Sequence, residues 1–154
     1  MGKDGKINDL VEKVQGYYPA ADVDLLRKAY EFSAKVHQGQ KRLSGEPYLI
    51  HPLAVASIIA DLKLDVPSVV SGLLHDTVED TLTTLDELKG LFGHEIGALV
   101  DGVTKLGRAN FSSREEKQAE NFRKMLLAMG KDVRVILIKL ADRVHNMRTL
   151  DHMP

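Results

Sequence analysis

The chain reads as an all-α protein, a bundle of helices, and three observations carry that reading. Apolar residues recur at steps of three and four through nearly every segment. Helix-start residues (Asp22, Thr84, Ser113, and Pro52 and Pro67 in first turns) stand where those periods begin, and Pro19, Gly93 and Gly130 stand where they stop. Only Val133 to Ile138 offers the alternation of a strand.

Residues 7 to 17 (Ile7, Leu10, Val11, Val14, Tyr17) predict a short amphipathic helix that ends before Pro19. Asp22 can cap a longer one, with Val23, Leu26, Ala29, Tyr30 and Ala34 on one side and His37 at its end. Residues 38 to 47, with two glycines and a proline and no period, form a loop. Loops of that length in compact domains are often functional. His51-Pro52 opens a third helix through Leu53, Val55, Ala56, Ile59 and Leu62, which places His51 at or beside the N-cap. Pro67 starts a fourth, which runs through Leu73 and Leu74 and carries His75 and Asp76 in mid-helix. Thr84 to Glu87 is a capping box before Leu88, Leu91 and Phe92, and Gly93 stops that helix. Residues 95 to 106 form the next, and a second capping box at Ser113 opens a helix to Gly130. The last segment is assigned as helix because Asp132 can cap it and its period outlasts any strand. On it Val135, Ile138, Asp142, Asn146 and Thr149 share a face that is apolar at its start and polar at its end.

The bulk properties narrow the classes. At 154 residues, 44% hydrophobic and 28% charged, the chain is expected to be one domain, residues 1 to 154, with a core of its own. A net charge of −1 gives no electrostatic footprint for polymeric nucleic acid or an anionic membrane surface. The absence of cysteine excludes disulfides and thiolate metal sites and is compatible with a reducing compartment. With no apolar signal core and no run of roughly 18 apolar residues, the expected location is cytoplasmic. The final residues, Leu150 to Pro154, carry no capping signal, so the chain is expected to be cut from something longer.

The densest polar constellation is Leu73-Leu74-His75-Asp76-Thr77-Val78-Glu79-Asp80. If the helix continues, His75 lies above Glu79 and Asp76 above Asp80, putting an imidazole and three carboxyl groups on one side. Carboxylates that close repel unless positive charge sits among them, and a divalent cation is the simplest supply. The plain alternative is a solvated polar face. Further donors are available at His51, at a helix start, and Asp142, on the polar end of the last helix's stripe. Two imidazoles and two carboxylates suit manganese, iron, cobalt, nickel or zinc better than calcium or magnesium. Of the remaining histidines, His37 reads as a helix-end residue, His94 as a cap neighbour and His152 as tail. His145, about 60° around the helix from Asp142, reads as packing, with support of a metal ligand as the alternative. Asp101 and Lys105 form an i,i+4 surface pair.

His51, then His75-Asp76, then Asp142 on a helical domain resembles the HD phosphohydrolase superfamily. More narrowly, four segments resemble the hydrolase domain of the RelA/SpoT homologs. They are residues 37 to 42 (His-Gln-Gly-Gln-Lys-Arg), 44 to 52 (Ser-Gly-Glu-Pro-Tyr-Leu-Ile-His-Pro), 74 to 81 and 139 to 148. The resemblance implies an HD-type helical bundle with a central metal site, held by His51, His75, Asp76 and Asp142, with Mn2+ the usual ion. It implies Glu79 and Asp80 as the catalytic carboxylates that orient and deprotonate water. Arg42 would stack on a guanine base, Ser44, Asn146 and Thr149 would contact ribose and phosphates, and Lys105 is a weaker candidate for the distal phosphates. The implied reaction is hydrolysis of the 3′-pyrophosphate of ppGpp or pppGpp to GDP or GTP and pyrophosphate. The long members also carry a synthetase domain and regulatory domains. Two alternatives stand beside it: an HD phosphohydrolase acting on another nucleotide, and a regulatory module that binds nucleotide without turnover.

Overall fold

Helices account for all the regular structure of the described residues, which are 2–37, 49–107 and 133–148 in a computed structural model. The Arg42 loop, the Ser113 helix and Thr149 lie outside them. The elements are α1 (Gly2–Tyr17), α2 (Val23–Val36), α3 (Ile50–Asp61), α4 (Val66–Leu74), α5 (Thr77–Asp80), α6 (Leu85–Phe92), α7 (His94–Gly107) and α8 (Val133–Arg148). None of these helices is long and apolar enough to cross a membrane.

The expected caps act where the sequence offers them. Asp22 accepts from the Leu25 amide at 3.0 Å and Thr84 from the Glu87 amide at 3.1 Å. Asp65, two residues before Pro67, accepts from the Ser68 amide at 3.0 Å and so begins α4 at Val66, one residue ahead of the expected start. Each such cap is worth about 1 kcal/mol. Gly93 stops α6 at φ +96°, a backbone geometry that disfavours any side chain. The ambiguous Val133 segment is helix. At the N-terminus α1 extends back to Gly2, earlier than the expected Ile7; the polar residues before Ile7 have no apolar period to mark that start in the sequence.

α4 is the hub: it packs against α2, α3, α7 and α8. Its sequence is apolar or small all round (Val66, Val69, Val70, Ser71, Gly72, Leu73, Leu74), which is what a helix with neighbours on every side requires. Gly72 lets α3 approach closely, since a Cβ there would lie 2.6 Å from Ile59 Cδ1 and 3.3 Å from Ala56 Cα. α3 also packs against α1 and α8, so α3, α4 and α8 all pack on one another. Leu26, Ile59, Leu73, Leu74, Leu99 and Ile138 are fully buried in the core.

One expectation is corrected. His75 and Asp76 do not sit in mid-helix: α4 ends at Leu74, the two form a turn, and α5 starts at Thr77. The buried Thr77 hydroxyl donates to the Leu74 carbonyl at 2.8 Å, competing with the backbone amide that would continue the helix. Asp76, at φ −99° and ψ −1°, takes the bridge conformation common in turns.

Candidate metal centre

The break at His75-Asp76 builds the site. Neighbours on a continuous helix point about 100° apart; the turn instead brings His75 Nε2 and Asp76 Oδ2 to 2.9 Å. α3 delivers His51 from its second residue, one place inside the helix start. α8 delivers Asp142 where its buried stripe of Val135 and Ile138 turns polar. His51 Nε2 lies 2.6 Å from Asp142 Oδ1 and 3.6 Å from Asp76 Oδ2, and His75 Nε2 lies 3.3 Å from Asp142 Oδ1. Donor atoms of His51, His75, Asp76 and Asp142 all lie within 4.8 Å of one another. The two imidazole rings are 5.1 Å apart and inclined at 64°.

These donors fit a divalent ion. Ligands of one transition-metal ion at about 2.0–2.2 Å stand within roughly 4.4 Å of each other, close to the spread here. The two carboxylates balance a double positive charge, and surrounding groups fix each donor. His75 Nδ1 lies 2.7 Å from the Gly72 carbonyl, which can only accept, so Nδ1 carries the proton and Nε2 faces the cluster. Lys139 Nζ donates to Asp142 Oδ2 at 3.0 Å, leaving Oδ1 to the cluster. The Asn146 amide reaches Asp142 Oδ1 at a long 3.4 Å.

The electrostatics record the crowding. Burial alone would depress His75, but the Asp76 charge and the hydrogen bonds to Asp142 and Asp76 push it up to about 10. Burial would raise Asp142, yet hydrogen bonds from His51 and His75 and the charge of Lys139 hold it well below the usual carboxylate range. Asp76 is likewise lowered, its burial outweighed by His75.

The structure brings the four expected donors together, with Asn146 beside Asp142. Glu79 is exposed on α5, directly after the turn. Asp80 ends α5, and its side chain is outside the described residues, as are Arg42, Ser44 and Thr149. Lys105 is exposed at the end of α7 and pairs with Asp101 at 3.0 Å, the expected i,i+4 partner. His94 is exposed at the start of α7 and His37 is buried at the end of α2, both in the expected positions. His145 is more than the packing residue it reads as: its Nδ1 lies 2.7 Å from His51 Nδ1, with both rings buried. The 60° offset from Asp142 was the only signal for it.

Known proteins resemble this chain in sequence and fold. The family model described as HD domain matches residues 29–154. A GTP pyrophosphokinase of Myxococcus xanthus is 66% identical over 143 residues, 91% of this chain and 19% of that protein. The bifunctional (p)ppGpp synthase/hydrolase SpoT of Escherichia coli K12 is 52% identical over 141 residues, 92% of this chain and 20% of that protein. The chain therefore spans about a fifth of the length of these curated relatives. A solved structure of a metazoan ortholog of SpoT that hydrolyzes ppGpp and plays a role in starvation responses is 28% identical with a TM-score of 0.64. The match covers 81% of this chain and 69% of that one. The chain belongs to the HD-domain family, and its similarity within that family is to proteins of SpoT and Rsh type.

Proposed function

We propose that this chain is a manganese-dependent hydrolase of the 3′-pyrophosphate of ppGpp and pppGpp, releasing GDP or GTP and pyrophosphate. The observation that carries the reading is the convergence of two imidazoles and two carboxylates from α3, α4, α8 and the turn before α5 on one point. The names of the relatives supply the substrate class. His51, His75, Asp76 and Asp142 hold the ion. When bound, it supplies Lewis-acid chemistry: it polarises a phosphoryl oxygen and lowers the pKa of water.

The remaining roles belong to the chain. Glu79 and Asp80, on the short helix after the turn, orient the attacking water and take its proton. Water adds to the phosphorus nearest the ribose, and the bond from that phosphorus to the ribose 3′ oxygen breaks. The 3′ oxygen leaves as a hydroxyl on taking up a proton, and pyrophosphate carrying the water oxygen is released. Arg42 stacks its planar guanidinium on guanine, a contact lysine cannot copy. Ser44, Asn146 and Thr149 contact ribose and phosphate, with Lys105 reserved for the distal phosphates. Lys139 and His145 hold the donors in place. We further propose that residues 1 to 154 act as one hydrolase domain in the cytoplasm, beside a synthetase domain and regulatory domains like those of the longer relatives.

Incubation with ppGpp and Mn2+, with and without a chelator, tests the reading. Chelator-sensitive release of pyrophosphate is expected. Release of orthophosphate instead would point to a different HD phosphohydrolase, and metal binding without turnover to a regulatory module.

A further inference from the structure

We propose that His145 is a positioning residue that accepts a hydrogen bond from His51 Nδ1 and thereby holds the His51 Nε2 lone pair toward the cation. The inference rests on the metal-centre reading above and adds to it a residue that binds no ion itself.

The two Nδ1 atoms are 2.7 Å apart, with ring centroids 4.9 Å apart and planes inclined at only 30°. Two ring nitrogens at that distance share one proton, because paired lone pairs or paired N–H groups would repel. Only two arrangements of neutral rings satisfy this. In one, His145 donates, so His51 carries its own proton on Nε2 and directs it at Asp142 Oδ1, 2.6 Å away. The cluster is then closed by an internal hydrogen bond and His51 has no lone pair to offer. In the other, His145 accepts, the proton sits on His51 Nδ1, and Nε2 faces the oxygens of Asp76 and Asp142 with its lone pair free.

The contrast with His75 shows why the partner's identity matters. His75 Nδ1 faces the Gly72 carbonyl, which fixes its proton on Nδ1 whatever occupies the cluster. His51 faces an imidazole, which both donates and accepts. A buried His51 therefore stays fully hydrogen-bonded in the closed and the cation-bound arrangements alike. An apolar side chain at position 145 would leave His51 Nδ1–H unsatisfied in the bound arrangement, and so disfavour binding.

Calorimetric titration with Mn2+ of the wild-type chain, His51→Ala, His145→Leu and His145→Gln tests this. His145→Leu is expected to weaken binding by about 10–100-fold, the usual effect of losing such a partner. His145→Gln, whose side-chain carbonyl can accept from Nδ1–H, is expected to recover most of that loss. Wild-type affinity in His145→Leu, or equal weakening in both His145 variants, would overturn the tautomer role. Failure of the wild-type chain to bind Mn2+, or undiminished binding by His51→Ala, would sink the metal-centre reading and this inference with it. Should His145→Leu fail to fold, 15N spectra of the Zn2+-loaded wild type decide the matter. The expected result is a proton on His51 Nδ1 and on His145 Nε2; a proton on His145 Nδ1 overturns the proposal.

Discussion

Replacing Gly72 with alanine should destabilise the chain, although alanine is the better helix former. The new Cβ would lie 2.6 Å from Ile59 Cδ1, 3.3 Å from Ala56 Cα and 3.5 Å from Ala56 N. Carbon atoms in good contact sit about 3.5–4.0 Å apart, so the methyl intrudes by roughly 1 Å on the isoleucine tip and a few tenths on the α3 backbone. Ile59 and Ala56 are both fully buried, which leaves little room to retreat. Overpacking of this kind costs about 1–3 kcal/mol, and the helix-propensity gain returns about 0.5–1 kcal/mol. The net loss is about 0–2.5 kcal/mol, with a middle value of about 1 kcal/mol, or up to about 10 °C in Tm for a domain of this size. Urea and thermal denaturation of the metal-free chain read it directly. Adding Ile59→Val, which removes Cδ1, should make the double variant less destabilised than the sum of the singles by about 0.5 kcal/mol or more. A Gly72→Ala chain more stable than wild type would refute the claim that α3 and α4 meet at this glycine. Because α3 carries His51 and the Gly72 carbonyl orients His75, the same variant should also weaken Mn2+ binding.

His75→Ala should abolish Mn2+ binding, while Glu79→Gln should keep it and lose about 10²–10³ in hydrolysis rate, the usual cost of a preorganised group; an equally active Glu79→Gln chain would remove that residue from the reaction. Thr77→Val deletes the hydroxyl that donates to the Leu74 carbonyl and should cost about 1–3 kcal/mol, with weaker metal binding as the His75-Asp76 turn loosens; unchanged urea midpoints would contradict it. His75 in the metal-free chain is raised from 6.5 to about 10, so its contribution to stability is fully present below pH 6.5 and is lost as pH rises toward about 10. Because that proton must leave before Nε2 can ligate, Mn2+ affinity should rise across the same window and binding should release protons, measurable by calorimetry in buffers of different ionisation enthalpy.

The fold was legible wherever periodicity and punctuation coincided. Asp22, Thr84 and Gly93 bound their helices as their chemistry requires, and the all-apolar surface of α4 follows from its run of Val, Ser, Gly and Leu. What periodicity could not show is the break after Leu74. It is accompanied by one threonine hydroxyl taking a carbonyl, and the surrounding pattern of Leu73, Leu74 and Val78 continues as though the helix did. That break is what lets adjacent His75 and Asp76 converge. The donor types were equally readable, but the meeting of His51 with Asp142 spans 91 positions, and spacing alone carries no information across that distance. The resemblance to the RelA/SpoT hydrolase domain joined them, and the geometry brings them to 2.6 Å. His145 stood undecided because its offset from Asp142 fits a packing residue as well as one that supports a ligand, and nothing in the spacing points to His51 as its partner.

Electron spin-echo spectroscopy of the Mn2+-loaded chain tests the shared-ion claim most directly. Two imidazole nitrogens coupled to one manganese are expected, with one coupling lost in His51→Ala if that variant is loaded at high Mn2+. Manganese bound with no nitrogen coupling would contradict it.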